Sequence, residues 1–327
     1  MEYIAGVDIG GTKIAATLFR PDGELLAKVV FPTRVERGPE AALAEIRTRL
    51  EELRRGRPAE RLLGIGISCG GPLDSRTGLI LSPPNLPGWA SVPVTRFLSE
   101  AFRVPARLEN DANAGALAEF RFGAGRASAA SGRPVRNLVF MTMGTGIGAG
   151  LILDGRLYRG ATGLAGEIGH TKIIPGGPEC GCGGRGCLEA LAAGPAIARR
   201  ARERRKEFPA SRIWTLAGGR PEAVTAAEVF AAAAAGDRLG RLVVEETAYY
   251  LGLGLANLVN LLNPEVIVLG TIATRYGDFF LEPVRRVVAA EAWPDPVAAV
   301  RITGSPLGDL TGDYAALAVF LDQSPGA

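Results

Sequence analysis

The sequence predicts an α/β protein whose 327 residues form two related halves, each with a sheet and flanking helices. Two observations support this prediction. Apolar segments of strand length alternate with amphipathic segments of helix length, which indicates largely parallel pairing in each half. The order of strand, Gly-Thr turn, strand, Asp-Gly turn and strand also occurs twice: Thr12 precedes Asp22 by ten residues, and Thr145 precedes Asp154 by nine.

The first half begins with YIAGVDI, a continuous apolar segment typical of a buried strand. Asp22-Gly23 predicts a hairpin between the next two strands. The segment Gly70–Asp74 and the proline-rich segment 82–89, SPPNLPGW, are predicted to be loops. The predicted strands of this half are 3–9, 14–19, 24–31, 62–69 and 106–110, and its helices are 39–55, 94–102 and 114–120.

The second half follows GAGRASAASGRP, residues 123–134, whose small residues predict a connection between domains. Thr225 is a candidate helix cap, and Asn263-Pro264 is expected to end the longest helix. The predicted strands are 137–143, 149–153, 156–158, 266–270 and 297–303, and the helices are 195–205, 225–235, 239–262, 277–291 and 309–321.

Composition excludes several classes of protein. Hydrophobic residues make up 47% and charged residues 22%, with a net charge of +3, as in ordinary globular proteins. No apolar run approaches the length of a membrane span, and the N-terminus lacks the pattern of a signal peptide, so we expect a cytoplasmic protein. The basic run 199–206 is interpreted as a solvated helix face, and no nucleic-acid partner is predicted.

Two glycine-rich turns are candidate anion sites, since backbone N–H groups can converge where no β-carbon blocks the approach. The first is Gly10-Gly11-Thr12-Lys13, and the second contains Gly144, Thr145 and Gly146. A plain hairpin turn explains the first of these sequences equally well. Together the two turns could hold a polyphosphate from two sides.

Polar residues follow the strand at 106–110, in the segment Glu109-Asn110-Asp111-Ala112-Asn113. Ligands bind at the carboxyl ends of strands in open α/β sheets. Asn110 or Asp111 could instead merely cap the helix that follows. Both interpretations stay open at this point.

The segment 163–189 contains the only histidine of the chain, His170, and three of its four cysteines, Cys180, Cys182 and Cys187. Clustered cysteines in a cytosolic protein favour a metal over a disulfide. Two carboxylates, Glu167 and Glu189, flank them. The fourth cysteine, Cys69, lies in a predicted strand and is interpreted as a small buried apolar residue.

Taken together, these motifs resemble the ROK family of repressors and sugar kinases. The resemblance extends from DIGGTK through ENDANA, GTGIG, GEIGH and CGCGGRGCLE to NLVNLLNPEVIVLG, and so covers nearly the whole chain. It implies two actin-like (ribonuclease H-like) domains with mixed sheets flanked by helices and an active site in the interdomain cleft. The smaller domain would comprise residues 1–118 and 307–327, and the larger one, with the metal-binding loop, residues 119–306.

The resemblance also implies an ATP-dependent hexokinase, most simply a glucokinase, with Asp111 as the general base. Phosphoryl transfer needs alignment and charge neutralisation, which two phosphate loops and Mg²⁺ would supply. Sugar hydroxyls would bind Gly71, Asn110, Asp111, Glu167, His170 and Glu189. The nucleotide would bind Asp8, Gly10, Gly11, Thr12, Lys13, Gly144, Thr145, Gly146, Gly270 and Thr271, with Asp8 also helping to hold Mg²⁺.

The resemblance further implies that His170, Cys180, Cys182 and Cys187 bind zinc. One nitrogen and three sulfurs form a closed tetrahedral set, which is typical of a structural site. His170 could use its second ring nitrogen for the sugar. The zinc would then fix the loop that carries Glu167 and Glu189.

The sequence departs from the family pattern at Gly270-Thr271-Ile272, where many members have further glycines near the expected adenosine site. This leaves the phosphoryl donor open between ATP, ADP and polyphosphate. The alternatives for the sugar are N-acetylglucosamine, N-acetylmannosamine, allose, fructose and mannose. A sugar-responsive repressor is disfavoured because a strand begins by Tyr3, and an actin-like ATPase would leave Glu167, His170 and Glu189 without a purpose. We expect a homodimer or homotetramer.

Overall fold

The computed structural model describes residues 1–57 and 59–322, and its first sheet has five strands in the order β3-β2-β1-β4-β7. Strands β1, β2 and β3 pair antiparallel through the two predicted hairpins. Strand β4 pairs parallel to β1, and β7 pairs parallel to β4. The sheet is therefore mixed. Its strands are β1 (Glu2–Ile9), β2 (Lys13–Phe19), β3 (Leu25–Pro32), β4 (Arg61–Cys69) and β7 (Ala106–Asn110).

The second sheet repeats this plan, with the order β10-β9-β8-β11-β12. Strands β8, β11 and β12 are parallel, and β9 and β10 form an antiparallel hairpin. The first three strands of each sheet thus follow the duplicated strand-and-turn pattern of the sequence. These strands are β8 (Leu138–Met143), β9 (Ile147–Leu153), β10 (Arg156–Leu157), β11 (Val266–Leu269) and β12 (Arg301–Gly304).

A two-stranded hairpin of β5 (Leu73–Asp74) and β6 (Leu79–Ile80) precedes the proline-rich loop. Leu86 and Trp89 anchor this loop because their side chains are fully buried. The backbone also closes on itself, with the Ser82 N–H donating to the Trp89 carbonyl at 2.9 Å. The loop is therefore irregular, as predicted, and fixed by burial.

All helices but the last lie in the segments between strands, and the last helix follows the final strand. They are α1 (Gly38–Arg54), α2 (Val94–Phe102), α3 (Asp111–Arg121), α4 (Ala124–Ala130), α5 (Leu188–Ala192), α6 (Gly194–Glu203), α7 (Arg212–Leu216), α8 (Ala226–Ala234), α9 (Arg238–Leu262), α10 (Ile272–Tyr276), α11 (Asp278–Glu291), α12 (Pro294–Ala299) and α13 (Thr311–Leu321). None of the helices in the described ranges combines the length and apolar content needed to cross a membrane.

Among the predicted segments that differ from the observed elements, the loop Gly70–Asp74 ends in the strand β5. The presumed connection at 123–134 contains the helix α4, whose first N–H groups gain a partner when Glu119 Oε2 accepts from Ala124 N at 3.0 Å. Of the predicted strand 297–303, only the part from Arg301 onward is extended. Pro294 and Pro296 fix helical φ angles at the start of α12, which occupies residues 297–299 of the predicted strand.

The chain forms two compact units. Unit 1 contains residues Met1–Arg136 and Gly150–Ala165 and the C-terminal segment from Asp309, while unit 2 contains Asn137–Ala149 and Gly166–Gly308. The predicted boundary at residues 118 and 119 falls inside α3, whereas the chain first passes between the units at residues 136 and 137.

Candidate functional site

The turn between β7 and α3 places Asn110 and Asp111 side by side at the carboxyl end of a parallel strand. Asn110 is the N-cap of α3, and its side-chain oxygen accepts a hydrogen bond from Ala112 N at 3.0 Å. Asp111 Oδ1 accepts from the same N–H at 2.9 Å. Because Asn110 already supplies the cap, capping alone does not account for the Asp111 carboxylate.

Gly71 lies against this turn: a β-carbon at Gly71 would stand 3.2 Å from Asn110 Nδ2. The charge of Asp111 also acts on Asp8, near the end of β1. The pKa of Asp8 is raised to about 6, chiefly by desolvation through burial and with help from the charges of Asp111 and Asp313, while a hydrogen bond with Ser68 and the charge of Lys13 act in the opposite direction. Desolvation by the surrounding protein also raises the pKa of Asp111, although part of this residue is open to solvent. Both carboxyl groups are therefore better proton acceptors than ordinary aspartates.

The first glycine-rich turn joins β1 to β2. Gly10 N donates to the Lys13 carbonyl at 3.1 Å, which closes the turn. Thr33 of the neighbouring segment fixes it from outside, since its hydroxyl donates to the Gly10 carbonyl at 2.6 Å. The side chains of Thr12 and Lys13 remain exposed. The turn is thus rigid and presents polar groups to solvent or to a ligand.

The second glycine-rich turn contacts Glu189 within unit 2. Glu189 Oε2 accepts a hydrogen bond from Ile147 N at 2.9 Å. A β-carbon at Gly146 would stand only 2.7 Å from the same oxygen, so a larger residue there would push this carboxylate oxygen away. Gly144 closes the turn by donating to the Gly146 carbonyl at 3.0 Å, and Thr145 is exposed. Glu189 therefore links the turn to the cysteine-rich segment.

The predicted metal ligands come together. The ligand atoms of His170, Cys180, Cys182 and Cys187 all lie within 4.8 Å of one another. Cys180 Sγ lies 3.7 Å from His170 Nδ1, and Cys182 Sγ lies 3.7 Å from Cys187 Sγ. Two sulfurs bound tetrahedrally to one zinc at ~2.3 Å would stand about 3.8 Å apart. The arrangement fits a tetrahedral zinc site.

His170 faces two groups with its two ring nitrogens. Its Nδ1 faces Cys180, while its Nε2 lies 3.8 Å from Glu167 Oε2, at the exposed side of the cluster. On the other side, Cys180 Sγ lies 3.6 Å from Glu189 Oε1. Glu167, His170 and Glu189 therefore all lie along the cysteine cluster.

Lys172 is a neighbour of the cluster that sequence reasoning missed. Its Nζ lies 2.8 Å from Cys187 Sγ, and this contact raises the pKa of Lys172. The two residues face each other across an isolated antiparallel bridge, which explains the approach. A lysine two residues after a histidine gives no sequence signal of this kind.

The third predicted nucleotide segment follows β11. Gly270 is buried, and its N–H donates to the Met141 carbonyl at 2.9 Å. Thr271 is exposed and adopts a φ of 51°, which a β-branched residue rarely tolerates. The backbone thus keeps a glycine-like conformation at a position where the sequence has threonine.

The predicted site residues divide between the two units. Unit 1 holds Asp8, Gly10, Gly11, Thr12, Lys13, Gly71, Asn110 and Asp111. Unit 2 holds Gly144, Thr145, Gly146, Glu167, His170, Cys180, Cys182, Cys187, Glu189, Gly270 and Thr271. Within each unit, the contacts given above bring most of these residues into local groups.

The basic run 199–206 is not simply a solvated helix face. Arg200 is buried and donates to the Leu191 carbonyl, while Arg199 donates to the Ala190 carbonyl at 2.9 Å. Both carbonyls belong to α5, the short helix that carries Glu189. Two arginines therefore satisfy the end of that helix, a role that the charge pattern alone could not reveal.

Comparisons with known proteins identify the family and its relatives. The chain matches the model of the ROK family over residues 4–323. A glucokinase of Thermotoga maritima is 35% identical over 99% of this chain and 98% of its own length. A xylose repressor of Caldicellulosiruptor bescii is 33% identical over 94% of this chain and 75% of its own length.

Two solved structures that are at least 30% identical in sequence to this chain share its fold. The ROK hexokinase from Thermus thermophilus is 38% identical with a TM-score of 0.80, covering 98% of each chain. The ROK family glucokinase from Streptomyces griseus in complex with glucose and AMPPNP is 30% identical with a TM-score of 0.79, covering 98% of this chain and 99% of that one.

Proposed function

Because the chain belongs to the ROK family, we propose that it is an ATP-dependent hexose kinase that phosphorylates the 6-hydroxyl, with D-glucose as the preferred sugar. The full-length similarity to the Thermotoga maritima glucokinase supports the reaction. The Streptomyces griseus glucokinase, whose complex holds glucose and AMPPNP, supports the pair of substrates.

Asp111 is the proposed general base. The 6-hydroxyl oxygen would form a bond to the γ-phosphorus as the bond from that phosphorus to ADP breaks. The hydroxyl proton would pass to the Asp111 carboxylate. The observation that carries this assignment is that the two neighbouring residues of the turn differ in role. Asn110 caps α3, while desolvation raises the pKa of Asp111.

The proposed sugar contacts include groups that accept hydrogen bonds, groups that donate them and groups that do both. A hexose presents hydroxyls that do both, and a buried polar group without a partner is costly. Glu167 and the second nitrogen of His170 face one side of the cysteine cluster. The remaining proposed contacts are Gly71, Asn110 and Glu189.

The proposed phosphate-binding residues are the two glycine-rich turns, with Asp8 at the end of β1. Mg²⁺ would neutralise the charge that develops on the phosphoryl oxygens. Asp8 is suited to hold it, since an oxygen ligand is what Mg²⁺ prefers. The residues of these turns are Gly10, Gly11, Thr12, Lys13, Gly144, Thr145 and Gly146, and the segment of Gly270 and Thr271 would meet the nucleoside.

Zinc would be structural in this proposal. Three thiolates and one imidazole leave no open position for substrate or water. The metal would fix the segment that carries Glu167 and Glu189, so its loss would affect sugar binding and local folding together. We also propose that the enzyme works in the cytoplasm as a homodimer or homotetramer.

A panel of sugars tests the proposal most directly. ADP release from MgATP would be measured with glucose, mannose, fructose, allose, N-acetylglucosamine and N-acetylmannosamine, and with polyphosphate replacing ATP. We expect the highest kcat/KM with glucose and ATP. Turnover on an N-acetylated sugar above that on glucose would overturn the substrate assignment. Sugar binding without turnover of any sugar would overturn the kinase proposal and favour a sugar-sensing regulator.

A further inference from the structure

Three buried charged side chains form a chain of ion pairs behind the turn that carries Asp111. Arg159 Nε donates to Glu109 Oε2 at 2.8 Å, and Arg159 Nη2 donates to Asp322 Oδ2 at 2.8 Å. The side chains of Glu109, Arg159 and Asp322 are only 4%, 12% and 7% exposed. Charged groups are rarely this buried unless they are paired, so each depends on its neighbour.

The three charges come from three separate segments of the chain. Glu109 belongs to the segment 1–136, Arg159 to 150–165 and Asp322 to the C-terminal segment from Asp309, and together these segments make up unit 1. Arg107 adds a second link, since its guanidinium donates to the Phe320 and Asp322 carbonyls. The ion pairs therefore fix β7 against the two segments that return to unit 1.

The second oxygen of Glu109 acts on the turn itself. Glu109 Oε1 accepts from the backbone N–H of Asn110 at 2.9 Å and from Asn113 Nδ2 at 3.1 Å. Asn113 is buried in the first turn of α3, with 3% of its surface exposed. One carboxylate thus holds the residue before Asp111 and the residue two positions after it.

From these contacts we infer that Glu109 is a positioning residue for the general base, and that Arg159 orients it. Glu109 does not need to touch the sugar; it fixes the backbone from which the Asp111 carboxylate projects. This inference rests on the proposed kinase function. It goes beyond it by assigning a role in the reaction to a buried pair whose members lie 50 positions apart in sequence.

Replacing Glu109 by glutamine removes either its contact with Arg159 or its contacts with the turn. An amide has one acceptor oxygen, whereas the wild-type carboxylate accepts from Asn110 and Asn113 with one oxygen and from Arg159 with the other. In Glu109→Gln, the amide nitrogen must therefore face either the Arg159 donor or the two donors of the turn. Either the contact with Arg159 or both contacts with the turn are lost, without a change in side-chain size.

The experiment measures kcat and KM for glucose, glucose affinity by calorimetry and thermal unfolding for the full-length enzyme. The control is Glu100→Gln, which removes a carboxylate from an exposed 2.8 Å pair with Arg96 on α2 of the same unit. A reacting group displaced by about 1 Å can lose ~100-fold in rate. We expect Glu109→Gln to lower kcat roughly 10- to 100-fold, with glucose Kd within about threefold of wild type and full binding stoichiometry, and Glu100→Gln to resemble wild type.

Asn113→Ala is the second variant, because it removes one contact of Glu109 and leaves every charge in place. We expect it to lower kcat by roughly 3- to 10-fold, even if Glu109→Gln does not fold. A wild-type kcat in Asn113→Ala would overturn the inference. So would a folded Glu109→Gln variant with a lowered melting temperature and a wild-type kcat, since a purely structural ion pair gives that result. A wild-type enzyme inactive on every hexose would instead overturn the proposed function.

Discussion

Gly312→Ala is a sharp test of the role proposed for Asp8. Gly312 lies in the first turn of α13, directly against the end of β1. A β-carbon built on Gly312 would stand 2.5 Å from Asp8 Oδ2 and 3.3 Å from Asp8 Cγ. The methyl group of alanine therefore cannot be accommodated without a movement of the Asp8 carboxylate or of α13.

The size of that movement follows from the distances. Ordinary van der Waals contact between a β-carbon and an oxygen begins near 3.4 Å, so the pair must separate by about 0.9 Å from its 2.5 Å approach. Displacing a group that holds Mg²⁺ or phosphate by about 1 Å is expected to cost roughly 10- to 100-fold in rate. The same substitution favours helix α13 by up to ~1 kcal/mol, since alanine has the higher helix propensity.

The assay compares kcat/KM for MgATP, the Mg²⁺ concentration for half-maximal rate and the melting temperature. We expect a 10- to 100-fold loss of kcat/KM, a raised requirement for Mg²⁺ and an almost unchanged melting temperature. Gly56→Ala is the matched control, because a β-carbon there meets nothing within 4 Å. Wild-type kinetics in Gly312→Ala would show that the Asp8 carboxylate does not act where we place it.

Two further predictions concern the metal cluster and pH. Cys187→Ser should lower bound zinc from about one equivalent per chain to nearly none and lower the melting temperature with it. The control Cys69→Ala, at the buried cysteine outside the cluster, should keep its zinc. A wild-type protein without zinc would contradict this prediction. Asp8→Asn should stabilise the Mg²⁺-free protein at neutral pH. Because the folded pKa of Asp8 is about 6 and its ordinary value is 3.8, the folded chain retains a proton that the unfolded chain loses, and stability falls as pH rises from about 4 to 6. The difference between Asp8→Asn and wild type in chemical unfolding should grow over that range to at most about 3 kcal/mol and stay constant above it; a difference independent of pH would refute the assignment.

The parts of this protein that could be predicted from sequence are those encoded by local pattern. The cysteine and histidine spacing predicted a cluster, and the four ligand atoms do lie together. Thr225 was predicted to cap a helix, and it forms a complete capping box with Glu228 at the start of α8. Cys69 is fully buried, as its apolar strand implied. In each case the residues that make the determining contacts are close in sequence, or the contacts follow from the burial of a strand.

The parts that could not be predicted depend on contacts between distant segments. The pair of Glu109 and Arg159 forms because β7 and the segment after β10 meet in unit 1. The local sequence around either residue does not indicate the other. Arg200 was interpreted as solvated because a run of arginines usually is, yet it is buried against α5. The small residues of α4 resembled a linker, but their size is what allows them to pack after α3.

The central claim is that Asp111 accepts the proton of the sugar hydroxyl, and Asp111→Asn tests it most directly. The substitution keeps the shape of the side chain and removes its basicity, while Asn110 still caps α3. Single-turnover phosphorylation of glucose by MgATP would be measured together with glucose affinity by calorimetry. The account predicts a loss of phosphoryl transfer of about 10²- to 10⁴-fold with glucose Kd close to that of wild type. Transfer within about tenfold of wild type at saturating glucose would contradict it.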